Sequence, residues 1–120
     1  VVSSPHGTAY RARIKEPEFA MAGKTGSSQV RRITKREREA GLKKQEQLPW
    51  EDRDHALFVC FAPVGNPRYA SAVIIEHGSH GANAAVLARD IMHECQRLDP
   101  SRRAGRGRFA EAARKPKPEA

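Results

Sequence analysis

Two apolar runs separated by a short turn constrain this chain more than any other feature in it. Residues 55–63 (His-Ala-Leu-Phe-Val-Cys-Phe-Ala-Pro) are apolar at both parities, so a strand there needs cover on both faces. Pro63-Val-Gly-Asn-Pro67 has the composition of a turn. Residues 68–78 (Arg-Tyr-Ala-Ser-Ala-Val-Ile-Ile-Glu-His-Gly) form a second run, β-branched at its centre. Strands joined this tightly pair as an antiparallel hairpin. After Gly78-Ser-His-Gly81, the apolar residues Ala84, Leu87, Ala88, Ile91, Cys95 and Leu98 recur at i, i+3, i+4 and i+7. This spacing predicts a helix over residues 82–98 whose single apolar stripe lies on the hairpin.

Upstream, residues 1–15 read as an entry loop with a short strand. Residues 19–30 are small and compatible with an extended chain, and predict a strand. Gly23 and Gly26 within it point to a close approach to the backbone. Residues 34–47 are rich in Lys, Arg, Glu and Gln, the pattern of an exposed helix interrupted at Gly41 and stopped before Pro49. With almost no apolar stripe, residues 31–54 form a charged, solvated excursion between strands. The fold class is therefore α+β, an antiparallel sheet with a C-terminal helix packed on one face. One helix cannot cover both faces of the strand at 57–61. Together with an opening residue Val1, this makes residues 1–98 the expected end of a larger domain. Residues 99–120, with Phe109 as the one large apolar side chain, are expected to be a disordered basic tail.

The formal net charge of +8 invites a nucleic-acid reading, but its distribution argues against one. Half of the excess lies in the last 22 residues, with 7 basic and 3 acidic side chains, while residues 55–98 are neutral. Few aromatics sit among the basic residues to stack on bases. A solvated tail fits better than a phosphate-tracking face, so no nucleic-acid partner is expected. A non-catalytic basic interaction or nucleic-acid-binding module is the alternative reading. An apolar fraction of 38% and a mean hydropathy of −0.71 are low for a self-sufficient fold, and marginal folding in isolation is expected. No window has the ~18 consecutive apolar residues of a membrane helix. Cys60 and Cys95 lack a CxxC partner and a histidine at zinc spacing, and read as two separate packed thiols.

Gly23-Lys-Thr-Gly-Ser-Ser28 is the sharpest local motif. A phosphate loop would need glycine five residues before Gly23, where Glu18 stands, and no apolar-periodic helix follows. On a strand the same residues do different chemistry. Lys24 supplies a cation, and Thr25 and Ser27 project hydroxyls at alternate positions, a set suited to a substrate carboxylate. Gly26 removes a side chain where a catalytic layer must come close. The Ser27 backbone N–H can donate to a developing oxyanion, a contact worth about 3 kcal/mol in the transition state. Elsewhere the plain reading is preferred. His77 and His80 flank a turn without a third metal ligand, so no metal site is expected. Glu76 is a strand-end charge, Trp50 anchors the excursion, and Arg11 and Arg13 line a solvated edge.

Lys-Thr-Gly-Ser on a strand is similar to the third signature of the penicillin-recognising serine enzymes. Further stretches agree: Gly7-Thr-Ala-Tyr-Arg-Ala-Arg-Ile14, Met21-Ala-Gly-Lys-Thr-Gly-Ser-Ser-Gln-Val-Arg-Arg-Ile33, and Leu48-Pro-Trp-Glu-Asp-Arg-Asp-His-Ala-Leu-Phe-Val59. Phe61-Ala-Pro63, Pro67-Arg-Tyr-Ala70, Ile75-Glu-His-Gly78 and Ala88-Arg-Asp-Ile91 continue in order. From Thr8 to Ile91 the chain resembles the C-terminal end of a class B penicillin-binding protein, of the penicillin-binding protein 2 type that serves cell elongation.

The resemblance implies a partial β-lactamase/transpeptidase-like fold. It also implies a D,D-transpeptidase anchored in the inner membrane on its periplasmic side, with no cofactor. Such an enzyme cross-links peptidoglycan stem peptides through a serine acyl-enzyme, and β-lactams acylate the same serine. The implied partners are stem peptides, β-lactams, the remainder of the transpeptidase domain and elongation-complex proteins. Carried over, Lys24, Thr25, Gly26 and Ser27 form the substrate-binding strand. Lys24 and Thr25 orient the carboxylate, while Ser27 adds a hydroxyl to it and an N–H to the oxyanion hole. The family's Ser-x-x-Lys nucleophile and Ser-x-Asn motif have no counterpart here, since no serine has lysine three residues on. The chain alone is therefore expected to be inactive. The loop Gly78-Ser-His-Gly-Ala82 is less glycine-rich than the family version.

Overall fold

Alternation along the central apolar run decides where the sheet forms and which side of it is dry. In β2 (His55–Ala62) the side chains of Ala56, Phe58, Cys60 and Ala62 are buried, whereas Val59 and Phe61 are 55% and 43% exposed. That period of two belongs to a strand covered on one face. The structure, a computed structural model, describes residues 1–102. β1 (Ala22–Ser28) and β3 (Tyr69–Ile75) flank β2, both antiparallel, in the order β1-β2-β3. The register sets Lys24 opposite Val59, Thr25 opposite Phe58, and Val59 opposite Ala72. The expected hairpin and the preceding strand are both present, the strand trimmed to the span that pairs.

α2 (Gly81–Arg97) crosses the dry face as expected, but not on the expected stripe. Gly81, Ala84, Ala85, Ala88, Met92 and Gln96 are buried, while Leu87, Ile91 and Leu98 are each nearly half exposed and Cys95 is exposed. Only Ala84 and Ala88 belong to both sets. The helix is apolar over two overlapping faces, and the smaller one meets the sheet. Alanines let the helix axis close on Phe58, and Met92 fills the space left beside them, all in one core. Of the two cysteines, only Cys60 is packed. Burial pushes its thiol pKa up.

The entry segment contributes to that core without a strand. Two 3₁₀ turns, Tyr10–Ala12 and Pro17–Phe19, carry Ala12 and Phe19 inward, joined by Val2, Ala9, Ile14 and Met21. In the excursion, α1 (Lys35–Ala40) is shorter than the charge pattern suggested. It begins at a capping box, with Thr34 Oγ1 accepting the Glu37 N–H at 3.2 Å and the Glu37 carboxylate accepting the Thr34 N–H at 2.8 Å. It stops at Gly41, whose φ of +96° suits glycine. Leu48 is the buried anchor of this segment, whereas Trp50 is 58% exposed and rests on the His77 ring at 4.3 Å.

Of residues 99–102, placed by the sequence at the start of a disordered tail, Asp99 is buried and Arg102 half-buried, while Pro100 and Ser101 are exposed. Asp99 is 3% exposed and accepts from Ser101 Oγ at 2.7 Å and Ser101 N–H at 2.8 Å. Those two donors, with the Tyr69 hydroxyl, hold its carboxyl below the ordinary range. Arg68 faces it at 3.5 Å, and the Arg102 guanidinium lies 4.2 Å over the Phe19 ring. Charge pairing does here what the missing apolar residues could not. The remainder of the expected tail, 103–120, lies outside the described residues.

Candidate functional site

β1 carries the whole Lys-Thr-Gly-Ser motif and is an edge strand, paired with β2 on one side among the described residues. An edge leaves backbone N–H and C=O groups available to an incoming extended peptide. Alternation divides the motif between faces. Thr25 and Ser27 stand opposite Phe58 and Ala56, on the side that α2 covers. Lys24 and Gly26 stand opposite Val59 and Leu57, on the open side. The two hydroxyl-bearing residues thus share a face and the lysine starts from the other. Its side chain turns back along the strand, and Lys24 Nζ donates to the Thr25 carbonyl oxygen at 2.8 Å. The ammonium is thus held against the main chain of Thr25, at the strand's outer edge.

The close approaches fall at other glycines than Gly26. A Cβ on Gly26 would meet only Leu57 Cβ, at 3.6 Å, an ordinary contact. Gly26 therefore keeps the open face clear. Gly23 faces the core, where a Cβ would overlap the Phe58 ring and come within 2.7 Å of the Val59 carbonyl oxygen. Gly81, at the start of α2, would put a Cβ 2.7 Å from the Gly26 carbonyl oxygen and 2.8 Å from Thr25 Cβ. The helix start is thus pressed against the middle of the motif. Sequence reasoning passed over Gly81 because it closes a turn, where glycine already has a local explanation.

Beside Lys24 the open face holds a shallow apolar depression of about 430 Å³, lined by Ala22, Val59, Phe61 and Ala70. At the far end of β1, the loop after β3 is tied to the excursion. The His77 N–H donates to His55 Nδ1 at 2.9 Å, His77 Nδ1 meets the Arg53 carbonyl oxygen at 2.9 Å, and the Ser79 N–H donates to the Asp54 carbonyl oxygen at 2.9 Å. His77 and Ser79 adopt φ of 52° and 70°, so these contacts hold non-glycine residues in the left-handed region. His80 lies apart from that pair, 3.3 Å from Glu46. Glu76 is exposed at the end of β3.

The family described as "Penicillin binding protein transpeptidase domain" matches residues 1–93. Curated relatives carry the description "Peptidoglycan D,D-transpeptidase MrdA". The protein from Acinetobacter baumannii is 48% identical over 80 residues, covering 65% of this chain and 11% of the relative. Those from Haemophilus influenzae and Escherichia coli K12 are 39% and 36% identical, each covering 77% of this chain and 14% of the relative. The chain thus spans between a tenth and a seventh of their length. A solved structure, "Complex between Penicillin-Binding Protein (PBP2) and MreC from Helicobacter pylori", aligns over 81% of this chain and 15% of that one, with a TM-score of 0.62 and 25% identity.

Proposed function

Because the chain belongs to the penicillin-binding-protein transpeptidase family, we propose that β1 is the strand on which a peptidoglycan D,D-transpeptidase holds its donor peptide. The observation that carries this reading is an edge strand bearing Lys24, Thr25 and Ser27 with Gly26 leaving its outer face clear. The C-terminal carboxylate of a stem peptide, or the equivalent carboxylate of a β-lactam, seats against the Lys24 ammonium and the hydroxyls of Thr25 and Ser27. Charge-assisted hydrogen bonds of this kind are the stronger ones in a partly desolvated cleft. The Ser27 N–H then donates to the carbonyl oxygen as it gains charge. Held antiparallel, the body of the peptide runs from Ser27 past Ser28, pairing main chain to main chain.

The attacking hydroxyl is supplied from outside these 120 residues, because none of the serines precedes a lysine by three positions. The remainder of the domain seats on the open face, over Val59, Phe61 and Ile74. The whole protein works at the periplasmic face of the inner membrane, within an elongation complex. The Helicobacter neighbour, solved together with MreC, supports that assignment of partners.

Incubation of the 120-residue chain with a fluorescent penicillin tests the division of labour. No covalent label is expected, while backbone amides of residues 24–28 shift on titration with an acetylated D-Ala-D-Ala peptide. A stable acyl adduct on the chain would overturn the assignment of the nucleophile, and unmoved β1 amides would overturn the docking strand.

A further inference from the structure

Where β1 ends, the chain builds a second feature that the transpeptidase reading does not use. Gln29, Val30, Ile33 and the cations Arg31, Arg32, Lys35 and Arg38 line an open groove of about 460 Å³. Two of the cations have carboxylate partners. Arg31 Nη1 bonds Glu37 Oε1 at 2.8 Å, and Lys35 Nζ stands 3.9 Å from Glu39. Glu37 is committed to that role, since the Thr34 N–H, Arg31 and the Thr34 hydroxyl lower its pKa to about 2. Among the described residues, Arg32 and Arg38 have no carboxylate within ion-pair distance, and both are exposed. The groove therefore carries two unmatched guanidiniums over an aliphatic wall of Val30 and Ile33.

We propose that this groove is a second anion subsite, in which Arg32 and Arg38 bind a side-chain carboxylate of the peptide docked on β1, about two to four residues before its C-terminus. The proposal rests on the docking strand described above. A peptide whose terminal carboxylate lies at Thr25 and Ser27, laid antiparallel, passes Ser28 and Gln29 at ~3.4 Å per residue and so reaches the groove within that distance. Guanidinium recognises a carboxylate by paired N–H donors, which suits a planar acidic side chain. Nucleic acid is the poorer occupant, because none of the lining residues is aromatic and two free cations are few for tracking phosphates.

Two acetylated tetrapeptides ending in D-Ala-D-Ala, one with Glu and one with Gln at its first position, test this by NMR titration of the 120-residue chain. The Glu peptide is expected to bind about fivefold more tightly at low salt and to shift the Arg32 and Arg38 side-chain N–H signals. Its advantage should shrink on raising salt to ~150 mM, as for any exposed ion pair. R32Q/R38Q should bring the ratio to about one with the affinity for the Gln peptide unchanged, and R32E/R38E should invert it. Equal affinities accompanied by shifts at residues 24–28 would overturn the subsite and leave the docking strand standing. With the β1 and β2 amides dispersed as a folded sheet requires, no shift at residues 24–28 with either peptide would overturn the docking strand and the subsite with it.

Discussion

At Gly81 the hydrogen in place of a side chain determines how closely α2 approaches the motif strand. The position a Cβ would occupy is bounded by the Gly26 and Leu57 carbonyl oxygens and Thr25 Cβ, all between 2.7 and 2.9 Å. Two of these are backbone and cannot swing away. Gly81→Ala must lift the first turn of the helix or bend β1, at a cost of about 1–3 kcal/mol for an overpacked contact. Chemical denaturation should register that loss, and the amide signals of Thr25 and Gly26 should move. A variant as stable as the parent with those signals unmoved would show that the helix start does not bear on the strand. Gly26 behaves differently, because its Cβ position is open within these residues. The motif glycine was legible in the sequence, but the glycine pressed against it was not, since what crowds Gly81 comes from β1 and β2, more than twenty residues away in the chain.

α2 holds the clearest departure from expectation among the elements. Its sequence supports two apolar faces about one residue apart, and periodicity ranks the one with larger side chains first. The sheet takes the other. Met92 is 1% exposed, and Met92→Ala should destabilise the chain by about 2–5 kcal/mol, the usual cost of emptying a core site. Leu87 is 48% exposed, and Leu87→Ser should change stability by no more than about 0.5 kcal/mol. Thermal melts of the two variants separate the stripes, and a larger loss from Leu87→Ser would restore the one read from periodicity. The strands were more legible because turn chemistry and β-branching bracket them locally, as in Pro63-Val-Gly-Asn-Pro67 before β3. α1 stops at the expected interruption, Gly41, but beyond it only a 3₁₀ turn, Gln45–Gln47, forms before Pro49, because charge pattern marks a solvated helix but not its length. Thr34, Glu37 and Gly41 carry that information as a cap and a stop.

For the whole molecule, the unbalanced feature is a sheet dry on one side only. Val59, Phe61 and Ile74 are 55%, 43% and 64% exposed on neighbouring strands of the open face. A patch of that kind is uncommon on a monomer left to itself. The isolated chain should therefore self-associate with rising concentration, seen by sedimentation velocity. Val59→Thr with Ile74→Thr should weaken that association by about tenfold or more, given the apolar area removed. A parent chain monomeric across the accessible concentration range would contradict this account of the face. The same exposure was foreseeable from a central run apolar at both parities, one of the few tertiary facts written directly in sequence.

Local chemistry by itself determined the strands, the hairpin, the terminal helix and the four-residue motif, since each depends on neighbours within a few positions, whereas the pairing of β1 with β2 joins residues some thirty positions apart. Contact between distant segments decided which face of α2 turned inward, which glycine pressed on β1, and that Asp99–Arg102 joined the fold through Arg68 and Phe19. Those outcomes depend on volumes and charges meeting across space. A pattern along the chain records which residues are able to be buried, and only the packed partner selects among them.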